Sequence, residues 1–232
     1  MTKDSLQNLV HDIHTFSINA PARQIYLHSI YGQSADDEEP GIEYRLSTTF
    51  IKNLHVLDSV SSENILVFCH SVGGIWSDGM AAFDAIRAAR SPVTIMTYAQ
   101  ASSMSGILLQ AADKRIMSPS CEFMIHFGSI NVHDNSLAAK SAVDANERYS
   151  KQMLKIFATR AMNGRFFKNR GYTFSQTVAY INRKIRDKSD WYLSAEEAVD
   201  YGFADGILGE KGFETMEKIR IGKKYKNADF KL

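Results

Sequence analysis

From residue 24 to residue 112 short apolar runs alternate with helix-patterned stretches, and this alternation limits the chain to few folds. Ile25-Tyr26-Leu27-His28 and residues 64–69 and 92–98 read as strands, the last of them buried on both faces. Helical spacing follows over 46–60, where Phe50, Ile51, Leu54 and Leu57 share a face, and again over 81–89 and 103–112. Strands that alternate with helices in this way build βαβ units, so the expected class is α/β with a parallel sheet. Two further short strands, 115–119 and 121–126, are separated by a Ser-Pro turn.

Two of the strand-to-helix turns carry residues with chemistry. Gln100-Ala101-Ser102-Ser103-Met104-Ser105 puts Ser103 where strand 92–98 gives way to an apolar helix. At such a turn, unpaired backbone N–H groups and the helix dipole favour negative charge on a nearby carbonyl oxygen. Met124-Ile125-His126 brings a histidine to the end of a strand, and a serine hydroxyl becomes a useful nucleophile only when an imidazole takes its proton. Read singly, Ser103 is an ordinary helix cap and His126 a half-buried strand residue. A third segment changes the balance: His70-Ser71-Val72-Gly73-Gly74 follows strand 64–69 and leads into the next helix. Its paired glycines permit a close backbone approach.

In this order the three segments resemble the proteolytic subunit of the Clp protease, a serine peptidase family of the wider crotonase-like fold. The resemblance extends from about Gln24 to Gly209 and includes Tyr192-Leu193-Ser194-Ala195-Glu196-Glu197-Ala198, similar to the family's closing segment. It implies Ser103 as nucleophile, His126 as general base and the N–H groups of Gly73 and Met104 as oxyanion donors. Gly74, Phe127 and Gly128 are then substrate-binding positions, and no metal or cofactor is implied. Val72, Ala99 and Phe127-Gly128 replace the family's usual Pro, Gly and Gln-Pro, and none of these changes removes a reacting atom. The third catalytic residue is less direct. An ungapped match puts Arg186 at its position, a one-residue deletion puts Asp187 there, and Asp190 is the alternative. Ser102 and Ser105 are also candidate nucleophiles, but only Ser103 takes the family position.

A chain of 232 residues with 44% hydrophobic content can bury one sizeable core without disulfides or metals. One domain is expected: an extension over 1–23, a core over 24–209 with β-β-α units and a protruding handle at about 136–185, and a basic tail over 210–232. The formal net charge of +1 gives no electrostatic footprint for nucleic acid. Cys69 and Cys121 fit buried reduced thiols, and His11 and His14, three apart on a possible helix, lack the partners of a metal site. No apolar run approaches the roughly 20 residues a membrane span needs, and residues 1–5 lack a signal-peptide core, so a cytoplasmic protein is expected.

The resemblance further implies a homo-oligomeric ring, a heptamer or a stacked double ring, in which the helix over 136–162 interleaves two rings. It implies peptides or unfolded proteins as substrates, delivered by a hexameric AAA+ unfoldase. Substrate would pair along residues 127–132. Residues 163–172 have no counterpart in the family pattern, and the acidic stretch 32–41 reads as a surface loop. Three other readings remain: a catalytically silent scaffold subunit, a phage-type capsid maturation peptidase, and a crotonase-type acyl-CoA hydratase or isomerase. The last typically moves protons with acidic residues, against which the Ser103/His126 pair argues.

Overall fold

The computed structural model describes residues 3–28, 41–130, 132 and 135–220. In chain order its elements are α1 (Lys3–Phe16), β1 (Ile18–Asn19), β2 (Gln24–Leu27), α2 (Tyr44–Val60), β3 (Ile65–Ser71), α3 (Trp76–Ala88), β4 (Val93–Ser102) and α4 (Met104–Ala111). There follow β5 (Lys114–Met117), β6 (Glu122–Ile125), α5 (Ser136–Ala161), α6 (Arg165–Asn169), α7 (Phe174–Lys188), β7 (Trp191–Leu193), α8 (Ala195–Tyr201) and β8 (Gly206–Ile207). The acidic stretch 32–40 and the tail from 221 lie outside the described residues.

The strands form one sheet in the order β1-β2-β3-β4-β5-β8, parallel from β2 to β8, with β1 antiparallel at the edge. This is the α/β arrangement expected from the alternation. Ile65, Leu66 and Val67 are fully buried on consecutive positions, as a strand covered on both faces requires. Helices α2, α3 and α4 pack over one face around Phe50, Phe83 and Leu108. Leu66, Met96 and Ile116 face the other way, where Ile219 covers them. All eight residues of α4 are buried, so this short helix is apolar nearly all round and has little freedom to shift.

Two features of β4 place the site. Its first half pairs with β5 through Thr94–Thr97, and its second half pairs with β6 from Gln100 to Ser102. Ala99 lies between the two registers with a left-handed backbone, φ +54°. β6 in turn pairs antiparallel with β7, Phe123 opposite Leu193 and Ile125 opposite Trp191. The two strands expected after Ala112 are therefore present, shorter than expected, and the second stops at Ile125.

The 26-residue α5 changes character along its length: no residue from Ser136 to Gln152 is buried, whereas Met153 to Ala161 enters the core. The segment without a family counterpart forms α6. Its Phe167 is fully buried, and Phe166 packs against Tyr180 and Tyr201 at centroid distances of 5.1 and 4.6 Å. This aromatic cluster fastens α7 to α8 and so holds the chain that enters β7.

Candidate active site

Ser103 sits between the end of β4 and the start of α4, with φ 53° and ψ −123°, a conformation that non-glycine residues rarely adopt. Such strain persists only where the surroundings over-determine it. Here Ser103 N–H donates to Met124 O at 2.9 Å, which ties the elbow to β6, and buried α4 fixes the other side. His126 follows β6 directly, and its Nε2 lies 2.7 Å from Ser103 Oγ.

The carboxylate at the far side of the ring belongs to Asp190, whose Oδ1 is 3.2 Å from His126 Nδ1. Asp187, favoured from the sequence, stands in the last turn of α7, beyond Ser189 with its left-handed φ of 63°. The reason is the strand register. Ile125 opposes Trp191, so the residue after Ile125 and the residue before Trp191 are neighbours at the open end of the β6–β7 ladder. A carboxylate at Nδ1 keeps the proton on that nitrogen and leaves Nε2 free to accept the serine proton.

The glycine loop lies against the elbow. A side chain on Gly73 would put its Cβ 2.6 Å from Ser103 Cβ and 2.8 Å from Met104 N, so only glycine fits. Gly73 N–H, the expected oxyanion donor, is turned away: it donates to Ser71 Oγ at 3.2 Å. Ile42 clamps the loop from outside, its N–H donating to Gly73 O at 2.6 Å while its carbonyl accepts from Ile75 N–H at 2.8 Å. Gly74, rather than Gly73, lines the cleft beside Ser103, and its N–H has no acceptor among the described residues. Met104 N–H belongs to the first turn of α4, where no intrahelical carbonyl is available.

The cleft, about 510 Å³, is lined by Gly74, Trp76, Ser103, Met104, Ile107, His126, Phe127, Gly128, Tyr149 and Met153 among others, and among the described residues no acidic or basic side chain other than His126 lines it. Phe127 and Gly128 thus lie in the same cleft as Gly74, and residues 126–130 form no strand. Arg186 lies 5.8 Å from the Phe127 ring. Two lining residues carry no motif in the sequence: Trp76 and Tyr149 stack with centroids 5.0 Å apart, joining α3 to α5 across the cleft. The one available signal was an aromatic residue opening the helix that follows the glycine loop.

Elsewhere, Ser102 and Ser105 are buried and His11 and His14 are exposed on α1. Cys69 and Cys121 are buried thiols, and burial pushes the Cys121 thiol up to about 11. Among the described residues no group of His, Cys, Asp and Glu is arranged to hold a metal, and no helix is long and apolar enough to cross a membrane.

A parallel α/β sheet that presents a strained serine at a strand–helix elbow, with a histidine and a carboxylate in line behind it, has the arrangement found in serine hydrolases. Residues 38–211 match the family model of the Clp protease, and the chain belongs to that family. It is 27% identical over 173 residues to the ATP-dependent Clp protease proteolytic subunit of Deinococcus radiodurans, covering 73% of this chain and 77% of the relative. It is also 27% identical over 170 residues to ATP-dependent Clp protease proteolytic subunit 2 of Pseudomonas aeruginosa, with coverages of 72% and 77%. The corresponding subunit of Carsonella ruddii is 26% identical over 176 residues, with coverages of 73% and 81%.

Proposed function

We propose that this chain is a serine endopeptidase subunit that hydrolyses peptide bonds through an acyl-enzyme on Ser103. The observation that carries this reading is the line Ser103 Oγ, His126, Asp190, with contacts of 2.7 and 3.2 Å. His126 Nε2 takes the Ser103 proton as Oγ attacks the scissile carbonyl carbon. The resulting oxyanion is received by the N–H groups of Met104 and Gly74, the second in place of Gly73. Collapse expels the amine, which leaves with the proton from His126. Water then adds to the acyl carbon, giving its proton to His126, and releases the carboxylic acid with Ser103 restored.

Among the described lining residues none but His126 is acidic or basic, which supports peptide substrates with an uncharged side chain next to the scissile bond. The exposed first half of α5 supports assembly of several copies into a ring or stacked rings, with that helix between them. A hexameric AAA+ unfoldase as partner is part of the same proposal, supported by the relatives' description as ATP-dependent.

The test is fluorophosphonate labelling followed by mass spectrometry on the assembled protein, Ser103→Ala and His126→Ala. An adduct on Ser103 that both variants lose supports the peptidase. No adduct on folded, assembled parent protein overturns it in favour of a silent scaffold subunit.

A further inference from the structure

Ser105 is the buried second residue of α4, and its hydroxyl takes no part in the acyl-transfer scheme. Its Oγ lies 2.7 Å from Ser102 O and 2.8 Å from Ser71 O. The first contact is a local i−3 bond to the last residue of β4, and the single hydroxyl proton is shared between the two carbonyls. The second is not local, since Ser71 is the last residue of β3 and belongs to another arm of the site.

The place of this bond matters. β3 and β4 run in regular parallel register from Ile65 to Cys69, and the register then slips before Ser71 meets Ala101. The ladder is irregular just where the glycine loop begins. Ser71 Oγ turns back on that loop, 3.2 Å from Gly73 N and 3.3 Å from Gly73 O. Ser105, next in sequence to Met104, thus holds through Ser71 the loop that carries Gly74.

We propose that Ser105 is a positioning residue: its hydroxyl latches the end of β3 to the nucleophile elbow and fixes the separation of the Gly74 and Met104 amides. This rests on the acyl-transfer reading above. A donor pair aimed at a developing oxyanion is sensitive to displacement, because stabilisation requires both hydrogen bonds at about 2.7–3.1 Å. Loss of the latch therefore acts on the chemical step more than on substrate binding.

The experiment compares assembled parent protein with Ser105→Ala, Ser105→Cys and Ser105→Thr. Cysteine keeps the approximate volume with a weak donor, and threonine keeps the hydroxyl. Two readouts are used: steady-state cleavage of a fluorogenic peptide, and deuterium exchange in the peptides spanning residues 72–76 and 103–107. The alanine and cysteine variants are expected to lose about 10- to 100-fold in kcat with KM within about twofold, and to exchange faster in both peptides. The threonine variant is expected to retain the parent values. Parent-like kcat and exchange in the alanine or cysteine variant overturn the proposal, as does a lowered Tm with unchanged kcat. Should parent protein fail to label with fluorophosphonate, the peptidase reading falls, and the exchange comparison alone decides whether the latch exists.

Discussion

Asp190 Oδ1 lies 3.2 Å from His126 Nδ1 although 48% of the Asp190 side chain remains open to solvent. Solvent weakens the charge interaction, but orientation of the ring does not depend on a low dielectric. Asp190→Asn is therefore expected to lower kcat for peptide cleavage by about 100-fold or more through the wrong imidazole tautomer. Asp187→Asn is expected to leave kcat within about twofold. Steady-state kinetics on both variants decides between the two acids, and a reversed pattern would return the role to Asp187.

Gly73 is the second test of the geometry, because the Cβ of an alanine there would strike the Ser103 Cβ, Met104 N and Ser102 O together. None of these is the free end of a flexible side chain, and the glycine φ of +108° adds backbone strain. Gly73→Ala is expected to abolish fluorophosphonate labelling of Ser103 even though every reacting atom is retained. Labelling at the parent rate would mean that the loop and the elbow are farther apart than this structure has them.

The parts of this site that could be read from sequence are those made locally. Ser103 stands at a strand-to-helix turn and His126 after a short strand, and both patterns are written in consecutive residues. The α/β class followed from the same local alternation. The resemblance favours Asp187 over Asp190, whereas the position of Asp190 is set by the antiparallel pairing of Ile125 with Trp191, residues far apart in sequence. The resemblance implies Gly73 as the oxyanion donor, whereas the direction of an N–H depends on dihedral angles and on the Ser71 hydroxyl, neither visible in composition or spacing. The role of residues 163–172 was likewise hidden, since Phe166 and Phe167 acquire their meaning only against Tyr180 and Tyr201.

Asp58 supplies a pH-dependent part of the stability. Its carboxylate receives Ser91 N–H at 2.7 Å and Arg90 N–H at 3.2 Å, tying the last turn of α2 to the chain that enters β4. Burial alone would raise its pKa, but the Ser91 and Arg90 hydrogen bonds and the Arg90 charge together bring it from 3.8 to about 2. The folded state thus favours the ionised form, so the contribution is complete above the unfolded value and disappears as pH falls through about 2. Asp58→Ala is expected to cost about 1–2 kcal/mol at pH 7. In urea unfolding, the difference from parent should hold down to pH 4 and shrink between pH 4 and 2. A pH-independent difference would assign the effect to packing instead.

Ala99 offers the opposite kind of test, a substitution expected to stabilise. It holds φ +54° at the point where β4 changes partner from β5 to β6. A left-handed backbone crowds an L side chain against its own carbonyl and costs roughly 1–2 kcal/mol, whereas glycine adopts it freely. The methyl group is exposed, so little packing is lost when it is removed. Against this stands the greater freedom of glycine in the unfolded chain, a cost of about 0.5–1 kcal/mol. The balance favours Ala99→Gly by roughly 0.5–1 kcal/mol, which for a chain of this size raises Tm by about 1–4 °C. Because the kink delivers Gln100 to β6 and, three residues on, Ser103 to its elbow, the glycine variant should label with fluorophosphonate at the parent rate. A lowered Tm would mean that the alanine methyl supports the register change rather than merely tolerating it.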